Sequence, residues 1–248
     1  MAVEEADKYQ ASIFVVEIFD GQICIKSPAF FIELAQATLS GWRFAKDAPC
    51  SKDLDVSISY QDDLFCVDAS ILDKPKQTQD LLDALNEFFL CLSYLLANKN
   101  PKLKLLHCAS YVESGENVIL LGEKNSGKSD KTLSIALGGD KIYADDLLLW
   151  SVKTSEFIAL GLPLRLRRST ALFDKDDSIR DKFLMGKHIL YSHKKYFNQA
   201  VLGEHFLLDK IQLMEKGFAL NNIPIHKFQS QLEQFLISDK FISYKRKI

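Results

Sequence analysis

Four groups of residues near the middle of the chain have the types and spacing that phosphate chemistry requires. Gly122, Gly127, Lys128 and Ser129 fit the pattern G-x-x-x-x-G-K-[ST]. Glycines at both ends let the backbone curl into a concave row of N–H groups that can hold phosphate oxygens. A lysine at this place neutralises the outer phosphates, and a serine hydroxyl sits on Mg2+. The loop residues concerned are Gly122, Glu123, Lys124, Asn125, Ser126, Gly127, Lys128, Ser129 and Asp130. Asp145 and Asp146 follow shortly as an adjacent acid pair between apolar runs. Such a pair is costly to hold unless it carries a metal or a proton. The chemistry expected is that one acid fixes Mg2+ while the other accepts a proton. His107 lies in an apolar run before the loop, and Arg165 and Arg167 alternate so that in a strand they share a face. From there one arginine could reach a γ-phosphate or an acidic substrate terminus. Each group also has a plain reading. A loop rich in Gly and Ser can be a plain surface turn, a lone histidine in an apolar strand is ordinarily a satisfied core residue, two acids can be solvated at a turn, and two arginines can face water from an edge strand.

The elements that must position these residues are legible around them. Val118 to Leu121 reads as a buried strand, and Lys131 to Leu137 completes a helix closed by Gly138-Gly139 as a left-handed cap. The helix points its positive end at the anion that the loop would hold. Leu103 to Tyr111 predicts one strand, with a short turn at Ser114-Gly115 before the next. Ile142 to Trp150 predicts a strand with the acids inside it. Beyond the arginines, Asp174 to Asp181 reads as a charged turn or loop. His188, His193, Lys194 and Lys195 could line a substrate approach, but lack metal-like spacing and read as surface. Phe206 to Leu213 predicts a strand, and Ile225 to Ile237 an amphipathic helix with Phe228, Leu232, Phe235 and Leu236 on one face.

The first hundred residues hold no catalytic constellation. Apolar runs broken at Asp20-Gly21 predict a hairpin, Phe30 to Leu39 a short helix, and Val56 to Val67 a second hairpin turning at Gln61-Asp62-Asp63. From Thr78 to Asn98, leucines and phenylalanines recur at spacings of three and four, the stripe of a core helix.

Composition narrows the function classes. Hydrophobic residues make up 47% and charged ones 26%, ordinary for a globular protein. A formal net charge of −2 lends no support to nucleic acid or a membrane surface as partner. The five cysteines (24, 50, 66, 91 and 108) show no C-x-x-C pair and read as reduced thiols, not a zinc or disulfide framework. The start, MAVEEADKYQ, is no secretory signal, and Phe88 to Leu96 is too short to span a bilayer. The expectation is a cytoplasmic protein.

The order of LLHCAS (105–110), GEKNSGKSD (122–130) and YADDLLLW (143–150) resembles the HPr kinase/phosphorylase catalytic domain. It is similar also to smaller HPr-kinase-like proteins, some of which phosphorylate peptides such as lasso-peptide precursors. The match is good over those segments, weaker over GLPLRLRRS (161–169), and negligible over the first hundred residues. The resemblance implies an α/β protein with a phosphoenolpyruvate carboxykinase-like P-loop domain over residues 101–248; the hairpins and two helices read above make residues 1–100 a β-rich α+β N-terminal portion. It implies a kinase using ATP and Mg2+, with a peptide, protein or small-molecule hydroxyl, serine foremost, as acceptor. Asp145 would be the general base, Asp146 would hold Mg2+ with Ser129, and His107 would tune or orient Asp145. Asp130 stands where the family more often has Thr or Glu. The Glu, Arg and glycine signature expected beyond the acids is missing from RSTALFD (168–174), which puts HPr binding and phosphorylase activity in doubt. HPr kinases assemble as hexamers, so the resemblance admits a homo-oligomer. The competing expectation is a nucleotide-binding regulatory or scaffold module that does no chemistry.

Overall fold

The computed structural model describes residues 9–19, 21–50, 53–167, 177–215, 220–223 and 232–237. Strand β1 (Ala11–Ile18) and strand β2 (Gly21–Pro28) form the first hairpin, in a register running from Ala11 opposite Pro28 to Ile18 opposite Gly21. Gly21 is therefore the first residue of β2 and not part of the turn, as Asp20-Gly21 would have it; Phe19 takes φ 40, and Asp20 lies outside the described residues. This register sets buried Val16 opposite Ile23 and buried Phe14 opposite Ile25. A slip by one residue would turn that apolar face to water. Helix α1 (Ala29–Thr38) begins after Pro28, whose φ of −57 suits a helix entry. Strand β3 (Phe44–Lys46) pairs with β1. Strands β4 (Val56–Gln61) and β5 (Leu64–Ala69) close on Asp62-Asp63, both at positive φ, the conformation a two-residue hairpin turn requires. After β6 (Lys76–Thr78) comes α2 (Leu81–Lys99), capped by the Asp80 carboxylate, which accepts from the N–H groups of Leu82 and Asp83. These strands form one sheet in the order β3-β1-β2-β4-β5-β6. By length and mean hydropathy α2 would suit a membrane span, but Leu85, Phe88, Leu92 and Leu96 on it are buried in the core.

The rest of the chain is again mostly strands. In order they are β7 (Leu103–His107), β8 (Ala109–Glu113), β9 (Glu116–Gly122), helix α3 (Lys128–Leu137), β10 (Ile142–Ala144), β11 (Leu147–Ser151), β12 (Glu156–Ile158) and β13 (Arg165–Arg167). There follow the short helix α4 (Asp177–Arg180), then β14 (Phe183–Met185), β15 (Ile189–Ser192), β16 (His205–Phe206), β17 (Lys210–Met214) and β18 (Leu220–Ile223). They build three sheets, β10-β8-β9-β17-β18, β16-β12-β11-β7 and β13-β15-β14. The molecule is thus a mixed α/β protein with several sheets.

Three stretches expected to be single strands each divide between two sheets. Residues 103–111 break at Cys108, residues 142–150 break at the acid pair, and residues 206–213 break between β16 and β17. Alternation along the strands explains how the sheets stack. Leu105, Leu147 and Leu149 point to the core under α2, while Leu106, Leu148 and Trp150 point to a second core shared with Ile119 and Leu121 of β9. Val118 and Leu120 face the opposite way, into a third core with Leu133 and Ala136 of α3, Leu164, and Leu166 of β13.

Two further expectations change. Cys24 and Cys50 are joined in a disulfide, with Cα atoms 5.9 Å apart, while Cys66, Cys91 and Cys108 are free. The segment after β3 returns Cys50 to β2, a proximity that sequence spacing does not encode. Of the amphipathic helix expected at 225–237, residues 225–231 lie outside the described residues; 232–234 are helical, with Leu232 and Leu236 buried. Arg168 and residues 169–176 also lie outside the described residues.

Candidate functional site

The loop between β9 and α3 owes its shape to its glycines. Strand β17 runs parallel to β9, setting Met214 opposite Gly122. A Cβ at Gly122 would lie 2.7 Å from the Met214 carbonyl oxygen and 2.7 Å from Ser126 Oγ, so only glycine fits there. Gly127 caps α3 in the left-handed region (φ 100, ψ 11), which costs glycine little. Lys128 is 7% exposed, and its ammonium donates to the carbonyls of Gly122 (2.8 Å) and Glu123 (3.0 Å), drawing the two ends of the loop together. Burial pulls the Lys128 pKa down, against the opposing pull of Asp146, Cys108 and Asp145. The first N–H groups of α3 have no acceptor within the helix and point positive charge toward the loop. Ser126 Oγ is buried without a hydrogen-bond partner.

The acids come to this loop because two chain crossings coincide. Strands β8 and β10 pair in one sheet, and β7 and β11 pair in another. The chain therefore changes sheets at Cys108 and again at Asp145-Asp146. The Cys108 N–H donates to the Asp146 carbonyl (3.1 Å), tying the crossings together. His107 stands opposite Leu147, which puts its ring beside Asp146.

The two acids then differ. Asp145 is 5% exposed; its Oδ2 accepts from the Arg165 backbone N–H (2.9 Å), and its Oδ1 is buried with no hydrogen-bond partner. Burial above all, with the neighbouring Asp146 charge, pushes its pKa up to about 6, against the pull of Arg165 and the Ser129 hydroxyl. Asp146 meets His107 Nε2 at Oδ1 (3.0 Å) and Arg165 Nη2 at Oδ2 (3.1 Å). Burial would raise its pKa too, but the His107 hydrogen bond and the charges of Arg165 and Lys128 outweigh that and hold it below the usual value. His107 thus contacts Asp146, one residue along from the acid that the resemblance pairs it with.

A cleft of about 310 Å³ unites most of the residues singled out in the sequence. Lys124 through Asp130 form one wall, and His107, Asp145, Asp146, Arg165 and Arg167 the other. No protein-family model matches the chain, and neither does any curated protein. The chemistry therefore rests on the residues themselves: a buried ammonium, a hydroxyl and helix-end N–H groups suited to a polyanion, facing a carboxyl that loses its proton near pH 6.

Gly122 and Glu123 sit at the base of the loop and line a neighbouring cleft with Lys124 and residues 234–237. Arg165 and Arg167 share a face across buried Leu166, as the alternation predicts. Arg165 is no solvated edge residue, for its Nη1 donates to Asn86 Oδ1 at 2.9 Å while Nη2 meets Asp146. His188, His193, Lys194 and Lys195 are not among the residues that line the cleft. Sequence reasoning missed Asn86 and Tyr191. The available signal was Asn86 itself, a polar residue one turn from both Leu82 and Leu90 on the helix.

Proposed function

We propose that the chain is an ATP- and Mg2+-dependent kinase that transfers the γ-phosphoryl group to a hydroxyl, serine foremost, of a peptide, protein or small molecule. In this reading residues 101–248 form a phosphoenolpyruvate carboxykinase-like P-loop domain of the HPr kinase kind. One observation carries it: a single cleft sets Lys128, Ser129 and the N-terminal end of α3 against Asp145 and Asp146. A polyanion cradle facing a proton acceptor is what phosphoryl transfer asks of a protein, since the protein mainly positions groups and neutralises charge.

The donor set fits Mg2+ and a triphosphate. Mg2+ takes one or two protein carboxylates and completes its shell with water and phosphate oxygens. It therefore needs no cluster of three or more His, Cys, Asp and Glu, and none occurs among the described residues. Asp145 Oδ1 and Ser126 Oγ are buried polar atoms without partners, as expected where a polar ligand completes the site. Ser129 and Asp146 would hold the cation, and the loop from Gly122 to Asp130 the phosphates. When bound, the magnesium nucleotide supplies the transferable phosphoryl group. Lys128 holds positive charge against the outer phosphates. His107 and Arg165 keep Asp146 ionised and fixed. Asp145, ionised above about pH 6, takes the proton of the acceptor hydroxyl at Oδ1. Arg165 and Arg167 offset the charge that develops on the transferring group.

Incubation with labelled ATP, Mg2+ and a panel of peptide and small hydroxyl acceptors tests this reading. Wild-type protein transfers or hydrolyses, and Lys128→Ala loses roughly 100-fold or more while its circular dichroism is unchanged. Equal turnover in the two proteins would sink the proposal. The second reading, a nucleotide-binding regulatory or scaffold module, draws on Asp130, whose carboxyl lines the same cleft and opposes a triphosphate. Tight nucleotide binding with neither transfer nor hydrolysis would favour it.

A further inference from the structure

The apolar stripe of α2 is interrupted at Asn86, and the interruption faces the cleft wall. Asn86 Oδ1 accepts two hydrogen bonds, from Arg165 Nη1 (2.9 Å) and from the hydroxyl of buried Tyr191 (3.0 Å). The other arm of the same guanidinium meets Asp146 Oδ2 at 3.1 Å. Asn86, Leu90, Asp146, Arg165 and Tyr191 also line a small cavity beside the main cleft. The guanidinium is therefore clamped at both ends, by a carboxylate of the acid pair and by an uncharged amide from the N-terminal helix. Arginine's planar fork gains most from such fixed geometry. Without Asn86, Nη1 loses its partner, and a side chain already one-third exposed can pivot away from the cleft.

We propose that Asn86 is a positioning residue: its amide oxygen holds Arg165 against Asp146 and so sets where the cleft presents positive charge. This rests on the kinase reading, in which Arg165 faces the transferring phosphoryl group. A charge fixed in advance where negative charge develops lowers the barrier more than it tightens ground-state binding. The N-terminal portion thereby acts on the chemistry through one helix.

Asn86→Ala should lower kcat for transfer or hydrolysis about tenfold while KM for ATP stays within about twofold. Asn86→Asp, which keeps an acceptor oxygen in place, should stay within about threefold of wild type in kcat. In the same proteins, 15N NMR should find slow rotation of the Arg165 guanidinium in wild type and Asn86→Asp, and fast rotation in Asn86→Ala. Wild-type kcat in Asn86→Ala with a guanidinium still held would overturn the inference. So would a loss of kcat that only parallels a loss of Tm and that Asn86→Asp fails to restore. If wild-type protein neither transfers nor hydrolyses, the kinase reading falls, and the rotation measurement alone then decides whether Asn86 holds Arg165.

Discussion

Replacing Asp145 by asparagine separates what this carboxyl costs the fold from what it does in the cleft. The group is 5% exposed and its pKa is pushed from 3.8 up to about 6, first by burial and then by the adjacent Asp146 charge. A folded value above the unfolded one means that the native protein holds the extra proton between them. Stability is then complete below the unfolded value and falls as pH rises through about 6. About two units at 1.36 kcal/mol each amount to a loss on the order of 3 kcal/mol by pH 8. Asparagine cannot ionise and escapes that loss. The stability of Asp145→Asn relative to wild type should therefore improve by on the order of 3 kcal/mol between about pH 4 and pH 8. The change is read against whatever constant cost the amide incurs where Oδ1 now lies. Asp146 does not blur the result, because its pKa is held below the usual value and its own stability change falls beneath this window. Urea denaturation in the absence of nucleotide, at half-unit pH steps, measures the difference. A difference that is flat across the window, or of opposite sign, would refute the argument that burial governs this group. In the same variant phosphoryl transfer should drop by roughly 10²- to 10⁴-fold. Stability and activity would then move in opposite directions at one residue.

Two other perturbations probe the frame around the site. Gly122→Ala places a methyl 2.7 Å from the Met214 carbonyl oxygen, which backbone shifts must relieve, at a cost of about 1–3 kcal/mol. Melts with and without magnesium ATP should show lower Tm and weaker nucleotide stabilisation; wild-type values in both would contradict the packing of β17 against the loop. Cys50→Ser opens a bridge between residues 26 positions apart, worth about 3.5 kcal/mol by loop closure, or roughly 10 °C in Tm for a chain of this size. Alkylation of the unreduced, denatured protein should label Cys66, Cys91 and Cys108 alone, and reduction should add Cys24 and Cys50; five labelled thiols before reduction would show that the bond does not form.

The local elements were open to sequence reading because their signals are local. The β4–β5 turn follows from Asp62-Asp63, α2 from leucines and phenylalanines at helical spacing, and the loop from two glycines whose necessity the structure explains through Met214 and a left-handed cap. Arg165 and Arg167 share a face because alternation in a strand leaves them no other choice. Cys108, by contrast, looks like any small residue inside an apolar run, yet there the chain leaves one sheet for another.

By itself the sequence determined which residues have the types and spacing that phosphate chemistry asks for and which short elements carry them, since spacing and periodicity act over a few residues. Tertiary structure alone decided that Cys24 meets Cys50, that His107 meets Asp146, that Asn86 reaches Arg165, and that one acid of the pair is buried while the other is ion-paired. Two adjacent aspartates are chemically identical until the chain changes sheets between β10 and β11. That crossing leaves buried Asp145 with a backbone donor and delivers Asp146, also desolvated, to a histidine and an arginine, and the difference in partners is what separates their proton affinities.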